Sequence, residues 1–396
     1  MSERPLEYLE QFAIDVILER RYGKRAALLR IFLYFLSIFY GWLMRLRWQL
    51  YENRLFHSYS TGCLVISVGN MTVGGTGKTP VVEHIARTLH QAGRRVAILS
   101  RGYKSVPMPF WKRMWRKFTL REHSSPPRVV SDGRALLLDS EKAGDEPYML
   151  ASNLRGVVVL VDKDRIKSAH YATFELGVDT LVLDDGYQYL PLKERINLVL
   201  VDRQAPFGNR HILPRGTLRE PKDHLRRSDV IFLTKCDGSD LSALKGELRR
   251  YNRHAEILEC AHRPRYLQDL FTDERIPLEY LKGKKVGAVC GIAMPESFEE
   301  GLKSLGAEII YSRHYADHHR YNNQEVLNAV NRTRARGGHA LVTTEKDAVR
   351  LPKVHRGDLP VYFLRVEIDL QGGKETFEEC VLRICHLGTT PNVLPQ

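Results

Sequence analysis

The stretch CLVISVGNMTVGGTGKTPVVEHIARTL, residues 63–89, decides how the fold is read. Its first residues are apolar and largely β-branched up to Gly69, the pattern of a buried strand. Val81, Val82, Ile85, Ala86 and Leu89 then recur at helical spacing, in a helix predicted to end near Gly93. Between the two lies a turn rich in glycine. Strand, glycine-rich turn and helix together form the context in which backbone amides close around phosphate oxygens and a helix N-terminus adds its positive end. The predicted nucleotide-binding residues are therefore Thr72, Val73, Gly74, Gly75, Thr76, Gly77, Lys78 and Thr79. Lys78 would reach the β- and γ-phosphates, and the Thr79 hydroxyl would ligate Mg²⁺. Pro80 is tolerated because a first-turn residue has no intrahelical partner for an N–H. The strict P-loop pattern asks for glycine at position 72, where this chain has Thr72.

Working outward, further β-branched runs alternate with helical or looped stretches: residues 96–99, 157–161, 180–186, 196–202 and 230–235. That alternation predicts an α/β fold, a P-loop NTPase-like and mostly parallel sheet flanked by helices. Ligands gather at the carboxyl ends of such strands. Asp184 and Asp185 end one run just before Gly186, as a metal-binding carboxylate after a strand would. A turn in which Asp-Gly serves geometry alone fits the same residues. Gly144-Asp145-Glu146-Pro147 reads, on its own, as a helix start with acidic residues in the first turn.

The 396 residues carry 60 Lys+Arg against 47 Asp+Glu, a formal charge of +13, and 43% hydrophobic residues. This is a globular composition that excludes a disordered polyelectrolyte and a polytopic membrane protein, and its positive balance calls for an anionic partner. The six cysteines form no C-x-x-C pair, which argues against a zinc ribbon or a secreted disulfide scaffold. The N-terminus does not read as a secretory signal, since charged residues precede any apolar run. Residues 31–44, IFLYFLSIFYGWLM, are strongly apolar but short of the ~20 that span a bilayer. Arg30, Tyr34, Ser37, Gly41 and Arg45 line one helical stripe, with Phe, Leu and Ile around the rest. A helix lying in the membrane interface fits this best, while a buried core helix and a tilted span share the pattern.

Taken in order, Val68-Gly69-Asn70 through Pro80, Ser100-Arg101-Gly102-Tyr103, Gly144-Asp145-Glu146-Pro147, Leu183-Asp184-Asp185-Gly186-Tyr187-Gln188, residues 213–221 (LPRGTLREP), Asp317-His318-His319 and Thr344-Glu345-Lys346-Asp347 resemble one family. The family is tetraacyldisaccharide 4′-kinase, the lipid A 4′-kinase of Gram-negative bacteria, and the likeness runs from roughly Ile31 to Pro352. The Thr72 departure matches that family's own P-loop. The resemblance implies transfer of the γ-phosphate of ATP to the 4′-hydroxyl of a tetraacylated disaccharide 1-phosphate. It also implies Mg²⁺, a peripheral position on the cytoplasmic face of the inner membrane, and no nucleic-acid partner. Under it, Thr79, Glu146, Asp184 and Asp185 shape the metal site. Asp145 and His318 accept the proton of the sugar hydroxyl, with His319 the neighbour most easily confused with His318. Arg219 steadies the migrating phosphoryl group beside Glu220, and Asn70, Arg101, Arg165 and Gln188 lie near the cleft.

Departures from the family are a longer N-terminal helix, Met294 in place of a polar residue, and a basic, aromatic insertion at 104–128. That insertion suits an anionic lipid surface, single-stranded nucleic acid or simple packing. The expected organisation is a membrane-interface segment over 1–60, a P-loop domain over 61–238, a second α/β lobe over 239–372 and a tail helix over 373–396. Two rival functions remain open on the residues alone. One is a GTPase, since Thr234-Lys235-Cys236-Asp237 imitates a guanine-reading motif; the other is a membrane-tethered nucleotide sensor.

Overall fold

The structure is a computed structural model and describes residues 5–102, 126–292, 294–352, 359–371 and 375–387. The chain begins with two helices, α1 (Pro5–Ile17) and α2 (Lys24–Glu52). Strand β1 (Leu64–Asn70) is buried at every position and leads through the glycine-rich turn into α3 (Lys78–Gln91). Then follow β2 (Val96–Ser100), β3 (Arg128–Asp132), β4 (Val158–Val161), β5 (Thr180–Asp184), β6 (Ile196–Asp202) and β7 (Val230–Thr234). The later half contributes β8 (Glu256–Asp269), β9 (Arg275–Ile276), β10 (Lys285–Cys290), β11 (Glu308–His314), β12 (Ala340–Thr344) and β13 (Val361–Gln371).

Among the described residues all thirteen strands belong to one sheet, in the order β11-β10-β12-β13-β8-β7-β6-β1-β5-β2-β4-β3, with β9 paired to β8. β1 lies between β5 and β6, parallel to both, with Val68 opposite Asp184. The β-branched runs are continuous rather than alternating because helices cover both faces of a parallel sheet. On one face α3 packs Val81, Val82, Ile85 and Leu89 against β1, β2 and β5, together with Phe377 and Val381 of the helix Phe377–Leu387. Adjacent parallel strands bring their carboxyl ends, Asn70, Ser100 and Asp184, to one edge of the sheet.

The sequence did not reveal β3, β9 or β8, and of these β8 matters most. Its first residues pair parallel with β7, and from Glu259 onward it pairs antiparallel with β13. Arg263, Pro264 and Arg265 interrupt its apolar pattern, and Pro264 is accommodated where the ladder shifts register against Val366. β8 thus carries the sheet across the boundary expected near residue 238, and the strands on either side are hydrogen-bonded into one sheet. β12 stops at Thr344, and a helical turn, Glu345–Ala348, follows it directly. Thr344 caps that turn by accepting from the Asp347 amide at 3.1 Å.

α2 is 29 residues long, roughly twice the apolar run that marks it, and is long and apolar enough to cross a membrane by length and composition. Its buried residues are Ala26, Ser37 and Gly41. The small, weakly polar stripe faces the protein, and Phe32, Phe35, Phe39 and Trp42 point outward, each more than half exposed. Gly41 faces Ile212, whose side chain lies 3.7 Å from where a Cβ would sit, an ordinary packing distance. Tyr40 Oη donates to the Arg219 carbonyl at 3.1 Å, Arg47 to the Gln188 carbonyl at 3.0 Å, and Arg45 pairs with Asp223 at 3.2 Å.

Candidate active site

The glycine-rich turn is braced from two sides. Residues 217–219 run alongside it: the Val73 amide donates to the Thr217 carbonyl at 2.7 Å, and the Arg219 amide donates to the Met71 carbonyl at 2.7 Å. Thr234 Oγ1, at the end of β7, donates to the Thr76 carbonyl at 3.0 Å. Within the turn, Asn70 Nδ2 donates to Thr76 Oγ1 at 3.0 Å, so the buried Thr72 and Thr76 hold the frame while Val73, Gly74 and Gly75 form its exposed rim. Gly77 is left-handed with φ 76°, and a Cβ there would lie 2.2 Å from His262 Nε2. No side chain caps α3, so its first-turn amides are available to an anion.

Two adjacent carboxylates beside this turn have opposite electrostatics. Asp185 has φ 55° and forms an ion pair with Lys78. Arg219 Nη1 donates to both its oxygens, at 2.9 and 2.8 Å. Burial pushes the Asp185 carboxyl up, but Lys78 and Arg219 outweigh it and hold the group down to about 2. Asp184 accepts from Ser100 Oγ at 3.0 Å, and burial, reinforced by the charges of Glu146 and Asp185, raises its carboxyl against the pull of Lys78. Asp184 is therefore a buried carboxylate short of positive charge, and Asp185 one already supplied with it.

Glu146 brings in the second acidic cluster. The helix Asp145–Asn153 starts after Gly144, whose φ of 91° suits glycine, and leads with Asp145 and Glu146. Asp145 Oδ2 lies 3.1 Å from His318 Nδ1 and accepts from Arg350 Nε at 2.9 Å, while Oδ1 lies 3.5 Å from Arg320. Burial raises the Asp145 carboxyl, but the His318 hydrogen bond and the charges of Arg350 and Arg320 leave it below its ordinary value. His318 is left-handed, φ 65°, in the loop after β11. His319 turns away, meeting Glu325 at 3.0 Å and stacking on Tyr315 at 4.6 Å between ring centroids. Lys346 lies 3.5 Å from Glu146 and 3.8 Å from Asp317, joining the two segments.

The remaining expected residues divide. Gln188 donates to the Asn70 carbonyl at 2.9 Å, and Lys78 to Asn70 Oδ1 at 3.3 Å, so both flank the turn. Arg165 is buried, donates to the Asp184 backbone carbonyl at 3.2 Å and feels the charge of the exposed Arg101. Glu220 does not join this group: it is buried with its carboxylate on His224 Nδ1 at 2.6 Å and Arg227 at 2.7 Å. Thr79 stands in the first turn of α3. Of the guanine-motif look-alike, Lys235 pairs with Asp202 at 2.5 Å and Asp237 with Arg203 at 2.6 Å. Tyr103 and most of the 104–128 insertion lie outside the described residues. Ser100, His262 and Arg350 were not found by sequence reasoning. Ser100 was quoted only as the start of a motif, and neither a lone histidine in a strand nor an arginine after a helical turn carries a signature.

The family model for tetraacyldisaccharide-1-P 4′-kinase matches residues 29–386. The chain belongs to the tetraacyldisaccharide 4′-kinase family. A tetraacyldisaccharide 4′-kinase of Desulfatibacillum aliphaticivorans is 37% identical over 366 residues, covering 90% of this chain and 92% of its own. One from Anaeromyxobacter dehalogenans strain 2CP-C is 41% identical over 340 residues, covering 84% and 85%. Among solved structures, LpxK from Aquifex aeolicus in complex with ATP aligns with TM-score 0.69 and 27% identity, over 91% of this chain and 99% of that one. The α/β fold read from residues 63–89 and its neighbours is that of the family. As a member of a kinase family, this chain is an enzyme that handles ATP, which decides against the GTPase and sensor readings.

Proposed function

We propose that this tetraacyldisaccharide 4′-kinase family member transfers the γ-phosphoryl group of ATP to the 4′-hydroxyl of a tetraacyldisaccharide 1-phosphate, the lipid A precursor. The observation that carries the reading is the meeting of two groups: Lys78, Asp185 and Arg219 at the phosphate turn, and the Asp145–His318 pair, joined through Glu146 beside Asp184. Phosphoryl transfer asks for positioning and charge neutralisation more than covalent help. The triphosphate would lie on the amides of residues 72–79, with Lys78 leaving Asp185 for the β- and γ-oxygens. Arg219, on the same carboxylate, is placed to meet charge on the migrating group. His318 would take the proton of the sugar hydroxyl as its oxygen attacks phosphorus and the bond to ADP breaks.

Thr79, Asp184 and Glu146 would hold Mg²⁺, with Asp185 occupied by its cations. The donors are hard oxygens, and the raised Asp184 carboxyl gains from a cation. Among the described residues no three His, Cys, Asp or Glu side chains converge as a metal cage. That fits an ion held by one or two carboxylates, phosphates and water. When bound, it would neutralise charge on the phosphates. Asn70, Gln188, Arg101 and Arg165 would line the cleft, and Glu220 would support it from behind through His224 and Arg227. The outward aromatic face of α2 supports a peripheral, membrane-interface position on the cytoplasmic side of the inner membrane, where a glycolipid substrate resides.

The direct test incubates the purified protein with Mg-ATP and tetraacyldisaccharide 1-phosphate and follows the lipid by mass spectrometry. One added phosphate is expected, with turnover reduced at least ~100-fold in Lys78→Met. An unchanged lipid alongside intact protein would overturn the reading.

A further inference from the structure

The Thr344-Glu345-Lys346-Asp347 motif has no part in the reaction as described, and the structure gives it one through Arg350. The Arg350 side chain is fully buried, with no solvent exposure, and lies between two carboxylates. Its Nε donates to Asp145 Oδ2 at 2.9 Å; its Nη1 donates to Asp347 Oδ1 at 3.2 Å and to the Gly291 carbonyl at 3.2 Å. Its Nη2 comes within 3.5 Å of His318 Nδ1. Asp347 is in turn fixed by the Tyr321 hydroxyl at 3.0 Å, the Gly291 amide at 3.0 Å and the Thr344 hydroxyl at 2.6 Å. Asp145 comes from the P-loop half of the chain; Arg350, Asp347, Tyr321 and His318 come from the other half. The base pair therefore forms between segments far apart in sequence, and Arg350 touches both of its members.

Proton bookkeeping follows from which atoms can accept. A guanidinium has no acceptor, and an ionised carboxylate has no donor. With Arg350 on Asp145 Oδ2 and Arg320 near Oδ1, Asp145 is an acceptor only. His318 Nδ1 faces this carboxylate at 3.1 Å and the Arg350 Nη2 donor only at 3.5 Å, so the nearer acceptor decides: Nδ1 carries the hydrogen, which leaves the lone pair of the neutral ring on Nε2. Asp317, 3.8 Å from Nε2, is beyond hydrogen-bond reach and is shared with Lys346.

We propose that Arg350 is the positioning residue that assembles this pair: it keeps Asp145 an obligatory acceptor, so that His318 holds its hydrogen on Nδ1 and offers Nε2 to the sugar hydroxyl. The O–H bond of the hydroxyl breaks as the Nε2–H bond forms, and Asp145 takes no proton. Asp347 acts through Arg350 by fixing its far end. The inference rests on the kinase reading for its substrate, but the histidine tautomer can be read without turnover.

The experiment uses full-length protein in detergent micelles, ¹⁵N-labelled at histidine and assigned with His318→Ala. In the wild type at pH 8 the His318 signals should report hydrogen on Nδ1. Arg350→Lys keeps a buried positive charge but loses the two-ended fork, and should give mixed tautomers. Its kcat should fall about 100-fold while KM for ATP stays within about twofold. Asp347→Asn, which leaves Arg350 in place, should change both readouts in the same direction by a smaller step, about tenfold in kcat, and answers the question if Arg350→Lys does not fold. Arg350→Lys with wild-type tautomer and kcat would overturn the proposal, as would a wild-type His318 protonated on Nε2 alone. If the wild type leaves the glycolipid unphosphorylated yet its tautomer depends on Arg350, the functional reading falls and the positioning role stands.

Discussion

Gly77 shows how a single residue sets the phosphate turn. Its φ of 76° already favours glycine, and the space a Cβ would need is filled by the ring of His262. Gly77→Ala is expected to add a clash to a left-handed strain of about 1–2 kcal/mol, and so to weaken ATP binding sharply. Combining it with His262→Ala should relieve the clash and return part of the affinity, the strain remaining. Calorimetric ATP titration of the three variants checks this; a double variant no better than Gly77→Ala would remove His262 from the account. At this scale the sequence disclosed residues whose chemistry is local. Lys78, Thr79, Asp184 and Asp185 each sit beside the glycines or strand that position them. Glu220 was not legible, because a dipeptide says nothing about which way each side chain turns: Arg219 meets Asp185, and Glu220 meets Arg227. Nor was Arg350, whose partners lie 205 residues away at Asp145 and three residues away at Asp347.

At the scale of elements, α2 joins two expectations that the sequence kept apart. The stripe of Arg30, Tyr34, Ser37, Gly41 and Arg45 looked like the polar face of a helix in lipid. Instead Ser37 and Gly41 seat the helix on the protein and leave the apolar side bare. Helical spacing identifies a stripe but not what covers it. On our membrane proposal, Phe35→Asp with Phe39→Asp should move the protein from membrane to soluble fractions, each charge costing roughly 2–3 kcal/mol in an apolar layer. Catalysis on a detergent-dispersed substrate should change little. Vesicle co-sedimentation measures the shift, and full retention in the pellet would argue against the outward face as the contact. β8 escaped the sequence reading for an opposite reason, since Arg263, Pro264 and Arg265 on one strand imitate a loop while neighbouring strands satisfy its ladder.

Across the whole molecule, the two halves are fastened on either side of the sheet crossing. Arg365 of β13 is buried between Glu83 of α3 and Glu345 after β12, and Asn153 donates to Glu345 at 2.6 Å and to Glu83 at 3.2 Å. This clasp ties the P-loop helix, the helix that carries Asp145 and the later half into one network. Arg365→Met would leave Glu345 buried without a cation and Glu83 with only Arg87 and Asn153, and should cost about 3 kcal/mol in denaturant unfolding. Adding Glu83→Gln should restore part of that; a single variant within 1 kcal/mol of wild type, the scale of an exposed pair, would mean the clasp is incidental. The two-lobe division over 61–238 and 239–372 stays a proposal, with β8 of the second range hydrogen-bonded to β7 of the first.

The bonds from Tyr40 and Arg47 of α2 to the backbone of Arg219 and Gln188 have one more outcome. On our membrane proposal, a catalyst moored this way would meet its glycolipid by lateral diffusion rather than from bulk water. Its velocity should then follow the mole fraction of substrate in the film, and fall when inert lipid is added at constant total substrate.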